Sequence, residues 1–198
     1  MKVIYIIGGM CNGKSTIGHA LEKHGAKFID LDLLANDGQK EQKMILELAK
    51  LDVDGLVENG EVNRSIMLDY LFSSSFATQR VDEAIHPIVK ELLDKRLEKL
   101  EKSGCEVAVV EYTGYYGKPR EEDIFLKDAD LVVWIESSLK DKIERASKRD
   151  LPAHELTWRM RVQPYDEEYE AVADYTIHNN SSEEALSECV EQLWAHCR

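Results

Sequence analysis

Four short stretches are apolar almost throughout, Val3-Ile4-Tyr5-Ile6-Ile7, Val107 to Val110, Leu131 to Ile135 and Tyr175 to Ile177, and Ala26-Lys27-Phe28-Ile29 reads as a further short strand. Runs without polar alternation are expected for parallel strands covered on both faces. Between them the spacing turns helical. Ile17, Ala20, Leu21 and His24 lie on one helix face, with Gly25 as the expected stop. From about residue 33 to 102 the chain reads as mostly helical, with stripes at Met44, Ile45, Leu48 and Leu51 and at Ile66, Met67, Tyr70 and Leu71. Pro87 is expected to break the pattern after Ile85-His86, and Ile88, Leu92, Leu93, Leu97 and Leu100 resume it. That stretch exceeds a normal crossover, so it reads as an inserted substrate subdomain plus a return helix. The expected fold is α/β, one domain around a doubly wound parallel sheet, with no internal repeat.

The first turn between strand and helix carries chemistry. Gly8-Gly9-Met10-Cys11-Asn12-Gly13-Lys14-Ser15, followed by Thr16, fits G-x-x-x-x-G-K-[ST] between a strand and a helix. Backbone N–H groups of such a loop point at phosphate oxygens, and the helix N-terminus adds partial positive charge. Lys14 is expected to reach the β- and γ-phosphates, and the Ser15 hydroxyl to ligate Mg²⁺. An ordinary glycine-rich turn is the bland alternative. The pattern and its flanks favour a site for ATP.

Charge narrows the partners. With 38 acidic against 25 basic residues, the net charge of −13 lacks the broad basic face that nucleic acid or an anionic membrane requires. No apolar run approaches the ~20 residues of a membrane span, and the start of the chain leaves no room for a signal peptide. Cys11, Cys105, Cys189 and Cys197 form no C-x-x-C pair, so free thiols in a cytoplasmic protein are expected.

In open α/β sheets ligands bind beyond the carboxyl ends of the strands. Asp30, Asp32 and Glu111 fall there, and phosphoryl transfer to a hydroxyl needs a base and acidic groups for Mg²⁺. In extended chain Asp30 and Asp32 point to one side. Either also fits a helix N-cap, and Glu111 also fits a plain loop charge. From Arg145 to Arg161 five basic residues (Arg145, Lys148, Arg149, Arg159, Arg161) face Asp150 and Glu155 alone. An arginine-rich helix–loop–helix there resembles a kinase lid; a solvated face with pairs such as Asp141–Arg145 is the alternative.

Together these pieces resemble the dephospho-CoA kinases, which phosphorylate the ribose 3′-hydroxyl of dephospho-CoA. The resemblance rests on the Gly-Gly loop, Ile29-Asp30-Leu31-Asp32 for I-D-A-D, and Gly60 to Arg64 for G-x-x-x-R. It continues with Ile85-His86-Pro87 for part of I-x-H-P, Arg145 to Arg149 for R-x-x-x-R, and Arg159 to Gln163 for R-x-x-x-Q. Ala173 to Asn179 follows A-D-y-x-I-x-N. The resemblance implies a P-loop, nucleoside-monophosphate-kinase-like fold. Its core would be residues 1–33, 103–144 and 166–198, with the helical insertion and return helix at 34–102 and the lid at 145–165. It implies Asp32 as base, Asp30 near metal or acceptor, and Arg64 and His86 on the acceptor side together with Glu111. It implies phosphate stabilisation by Arg145, lid positions for Arg149, Arg159 and Gln163, and an adenine-side position for Asn179. His86 as a packed residue at a helix start and Asn179 as a strand end are the bland alternatives.

Several positions depart from the family pattern. Cys11 replaces a glycine and Asn12 a serine, and a P-L-L before the strand-end glutamate is absent at Ala108-Val109-Val110. The lid is about one residue shorter, and a lysine is missing within Asp166 to Tyr169. Most of these bear on acceptor or lid, so two other readings stay open: a kinase for another small acceptor, such as a nucleoside or sugar acid, and an ATP-binding regulator without turnover. Gly114-Tyr115-Tyr116-Gly117 reads as an acceptor cover or as packing. A thiol in an N–H-lined loop beside Lys14 is expected to be reactive, or else Cys11 is an inert small residue. The oligomeric state is not specified by the sequence.

Overall fold

The structure, a computed structural model, describes residues 1–38, 41–180 and 183–197. Its strands are β1 (Lys2–Ile7), β2 (Lys27–Asp30), β3 (Val57–Glu58), β4 (Glu61–Val62), β5 (Val107–Glu111), β6 (Leu131–Glu136) and β7 (Tyr175–His178). Its helices are α1 (Lys14–Lys23), α2 (Leu31–Gly38), α3 (Gln42–Ala49), α4 (Arg64–Leu71), α5 (Ser75–Lys102), α6 (Leu139–Ser147), α7 (Ala153–Met160), α8 (Asp166–Glu170) and α9 (Glu183–Cys197). Five strands form one parallel sheet in the order β2-β5-β1-β6-β7, with β1 paired to both β5 and β6.

Period-two alternation sorts β1 between two cores. Ile4 and Ile6 face Ile17 and Leu21 of α1 and Val190 and Leu193 of α9. Tyr5 and Ile7 face the other way, toward Val89 and Leu93 of α5 and Tyr169 of α8. A strand buried on both faces has no polar position to spare, which is why its sequence reads as one apolar run. The expected stop at Gly25 is a Schellman end: Gly25 takes φ 111° and donates to Glu22 O, while Ala26 donates to Leu21 O. Among the described residues, no helix is long and apolar enough to cross a membrane.

Residues 33–102 are mostly helical as expected, and one expectation within them fails. Pro87 does not break the helix: α5 runs through it for 28 residues. Proline removes one hydrogen bond and crowds the preceding turn, yet Val81 and His86 before it and Ile88, Val89 and Leu93 after it are all buried. Their packing on one core holds both halves in line. The stretch is also interrupted by the antiparallel pair β3–β4, with Val57 opposite Val62. Asn59 and Gly60 join the strands at φ 52° and 77°, the signs a tight two-residue hairpin turn requires. Asn-Gly between apolar positions signals such a turn, and it was hidden by the helical stripes on either side.

Candidate active site

The phosphate-loop segment joins β1 to α1 and folds tightly on β6. Gly8 has φ 141°, and a Cβ there would lie 2.4 Å from Ile135 O. Asn12 is buried and its Nδ2 donates to the same carbonyl at 2.5 Å. Gly13 caps α1 at φ 95°, a conformation that favours a residue without Cβ. Lys14 is buried and turned onto its own loop, where Nζ donates to Gly8 O at 2.8 Å and Gly9 O at 3.0 Å. Burial pulls its pKa below the usual lysine value, against the attraction of Glu111 and Asp32.

Asp30 and Asp32 do not lie in extended chain as expected. Asp30 ends β2, and its Oδ1 accepts from Asp32 N at 2.8 Å and Leu33 N at 3.1 Å, so it caps α2. Asp32 stands in the first turn of that helix. Both still line one cavity, because the strand end and the helix start share its floor. Thr113 Oγ1 donates to Asp32 Oδ1 at 2.6 Å. Asp32 is open to the cavity solvent but ringed by protein, and this desolvation raises its pKa while the Thr113 bond opposes the rise.

Glu111 ends β5 and is buried; its Oε1 accepts from Ser15 Oγ at 3.1 Å and its Oε2 has no hydrogen-bond partner. Burial raises its pKa, and Lys14 and the Ser15 bond oppose this. A buried carboxylate oxygen without a partner costs free energy. Beside a hydroxyl it suits a hard cation that takes few protein oxygens and fills its shell with water and phosphate. The donor set therefore fits Mg²⁺.

Opposite the loop, α5 contributes Asp82 and His86, one turn apart and both buried. His86 Nε2 lies 3.4 Å from Asp82 Oδ1, and the His86 ring sits among Tyr112, Tyr116 and Phe125. Burial pulls the His86 pKa down to about 3, with Lys118 adding to the effect. Burial, then the charges of Asp32 and Asp123, pushes Asp82 well above the usual carboxylate range. Both shifts disfavour the charged form, so desolvation here outweighs what an ion pair would return. Tyr115 is a packed residue, its hydroxyl donating to Lys118 O and Glu168 O.

The arginines divide. Arg64 at the start of α4, Arg149 after α6 and Arg159 on α7 line the cavity. Arg159 pairs with Glu155 and lies 4.9 Å over the Phe72 ring. Gln163 accepts from Met10 N at 3.1 Å, tying the segment after α7 to the loop. Arg145 is not a cavity residue. Its Nη1 donates to Cys11 O at 3.1 Å and Ser137 Oγ at 2.7 Å, and its Nη2 to Asn179 O at 2.6 Å. Cys11 is buried against Ala146 and Leu156, which favours the small packed residue over the reactive thiol.

One cavity of about 500 Å³ thus gathers Met10, Cys11, Lys14, Ser15, Asp30, Asp32, Arg64, His86, Glu111, Arg149, Arg159 and Gln163. Gly8, Gly9, Asn12 and Gly13 shape the loop beneath it, while Thr16 is exposed on α1 and Asn179 is buried behind the loop. Sequence reasoning missed Thr113, Asp82 and Ser137. Thr113 lies two residues past the strand-end Glu111, and Asp82 precedes His86 by one helical turn; both spacings carry a signal. Ser137 had none.

Comparison with known proteins bears on this site. The dephospho-CoA kinase family model matches residues 2–185. The dephospho-CoA kinase of Geobacter sulfurreducens is 30% identical over 200 residues, covering 98% of each chain. A Thermus thermophilus protein, TT1252, has a crystal structure that superposes with TM-score 0.76 at 24% identity, covering 98% of this chain and 97% of that one. The dephospho-CoA kinase structure from Campylobacter jejuni gives TM-score 0.57 at 20% identity, covering 99% and 97%. At these identities the two structures bear on the fold alone.

Proposed function

The chain belongs to the dephospho-CoA kinase family, and we propose that its cleft moves the γ-phosphoryl group of ATP to the ribose 3′-hydroxyl of dephospho-CoA with Asp32 as the base. The observation that carries this is the meeting of Asp32, held by Thr113, with Lys14 and Ser15 of the phosphate loop in one cavity. The 3′-oxygen attacks the γ-phosphorus, the bond from that phosphorus to the β,γ-bridging oxygen breaks, and ADP leaves. The hydroxyl proton passes to the Asp32 carboxylate, where a raised pKa makes a better acceptor. Thr113 engages Oδ1, so Oδ2 takes the proton.

Lys14 exchanges its two loop carbonyls for phosphate oxygens, and Arg149 and Arg159 add charge from the lid, residues 145–165. Ser15 and Glu111 would hold Mg²⁺, which would supply charge neutralisation for the triphosphate. Arg64 and His86 serve the acceptor side. The four unpaired cysteines support a reducing cytoplasm as the setting, and the net charge of −13 supports small-molecule partners over nucleic acid.

The test offers the protein ATP, Mg²⁺ and a panel of acceptors including dephospho-CoA, follows ADP release, and locates the new phosphate by mass spectrometry. Turnover with dephospho-CoA to give CoA is expected. Turnover confined to a nucleoside or sugar acid, or ATP binding without turnover, would overturn the reading.

A further inference from the structure

We propose that Arg145 and Asn179 are positioning residues behind the phosphate loop, which lock the peptide between Asn12 and Gly13 so that the Gly13 N–H faces the triphosphate. The Asn12 carbonyl is held from outside by three donors. Asn179 Nδ2 lies at 2.8 Å, Ser137 Oγ at 3.1 Å and Arg145 Nη1 at 3.4 Å. In a trans planar peptide the C=O and the following N–H point in opposite directions. Donors that fix the Asn12 oxygen on the outer side therefore turn the Gly13 N–H toward the inner side, where an anion nest needs it.

The clamp is itself clamped. Arg145 Nη2 donates to Asn179 O at 2.6 Å, and Ser137 Oγ lies 3.1 Å from the same oxygen. Asn179 N donates to Glu136 O at 2.8 Å, tying it to the end of β6. Asn12 Nδ2 in turn reaches Ile135 O of the same strand. A Cβ on Gly13 would lie 2.3 Å from Asn179 Nδ2, so the approach exists only because residue 13 has no side chain. Both terminal guanidinium nitrogens of Arg145, Nη1 and Nη2, are engaged on backbone and hydroxyl oxygens, and a planar fork suits that two-sided hold better than a lysine. Arg149, one turn further along, lines the cavity instead.

The inference rests on residues 8–15 being the ATP loop, and a wild-type protein that binds neither ATP nor inorganic tripolyphosphate would sink that reading instead. Binding of ATP and displacement of ATP by tripolyphosphate are measured for the wild type, Asn179→Asp, Arg145→Lys and Arg145→Ala, with the melting temperature as a fold control. Asn179→Asp keeps the shape of the side chain but sets an acceptor against the Asn12 carbonyl. It should weaken both ligands by the same factor, about threefold to tenfold, the size of one hydrogen bond, with the acceptor KM unchanged. A loss for ATP with none for tripolyphosphate would mark the pair as nucleobase contacts and overturn the proposal, as would no loss for either. Amide hydrogen exchange supplies a second readout. ATP should slow exchange at Gly13 in the wild type and much less in Asn179→Asp; equal protection in both would also overturn it.

Discussion

Thr113 Oγ1 donates to Asp32 Oδ1 at 2.6 Å across the cavity floor, from the segment after β5 to the first turn of α2. Desolvation by the surrounding protein pushes the Asp32 carboxyl up and this bond pulls it down, so the two set the pH at which the base is ionised. The base works only when deprotonated, so activity falls as pH drops through its pKa. Thr113→Val removes the opposing bond, and the acid limb of kcat/KM should move to higher pH. A limb that stays put, or moves down, would show that Thr113 does not tune the base.

Asp32→Asn keeps the side-chain shape and removes the proton acceptor. Its kcat should fall by roughly 10²–10⁴, with ATP binding intact. If acceptor binding vanishes while kcat at saturation survives, Asp32 is a binding residue.

Lys14→Ala removes the buried cation of the loop. Turnover should be nearly lost and ATP affinity weakened, since the change removes a cation from the transferring phosphate. Wild-type kcat with Mg-ATP would contradict the assignment of the loop.

His86 gives the fold an acid-sensitive element. Folded, it is neutral down to about pH 3; unfolded, it titrates near 6.5. As pH falls from 6.5 toward 3, the unfolded state gains a proton that the folded state refuses, so stability drops by at most about 1.4 kcal/mol per pH unit. Asp82 acts in the opposite sense, keeping a proton in the fold above the pH where the free carboxyl loses it. His86→Gln should shrink the fall in Tm between pH 7 and pH 5. An undiminished fall would place the acid sensitivity elsewhere.

Cys11 and Cys197 are buried, whereas Cys105 and Cys189 are partly exposed. Iodoacetamide with mass-spectrometric mapping should therefore find Cys105 and Cys189 labelled before Cys11. Labelling of Cys11 first would restore the reactive thiol that its loop position suggested.

Much of the site was legible because it is local. Strand, glycine loop and helix are consecutive in the chain, and the rule that ligands sit beyond strand ends led to Asp30, Asp32 and Glu111 without coordinates. Local conformation was harder to read. Asp30 and Asp32 are alike in sequence, but the helix begins between them, so Asp30 spends one carboxylate oxygen on capping it while Asp32 stands in its first turn; both line the cavity. Pro87 looked like a boundary because propensity is a local quantity, while the packing that overrides it comes from the core beneath α5.

The sequence by itself determined the parallel sheet, the phosphate loop and the carboxylates at strand ends, since each follows from a period or a motif within a few residues. Only the tertiary structure decided which arginine does what. Arg145 and Arg149 are one turn apart and chemically identical, yet one grips carbonyls behind the loop and the other lines the cavity. Their difference lies in what α6 packs against, more than 130 residues away in the chain for Cys11. A residue type states which bonds a side chain can make, and the fold alone supplies the partners.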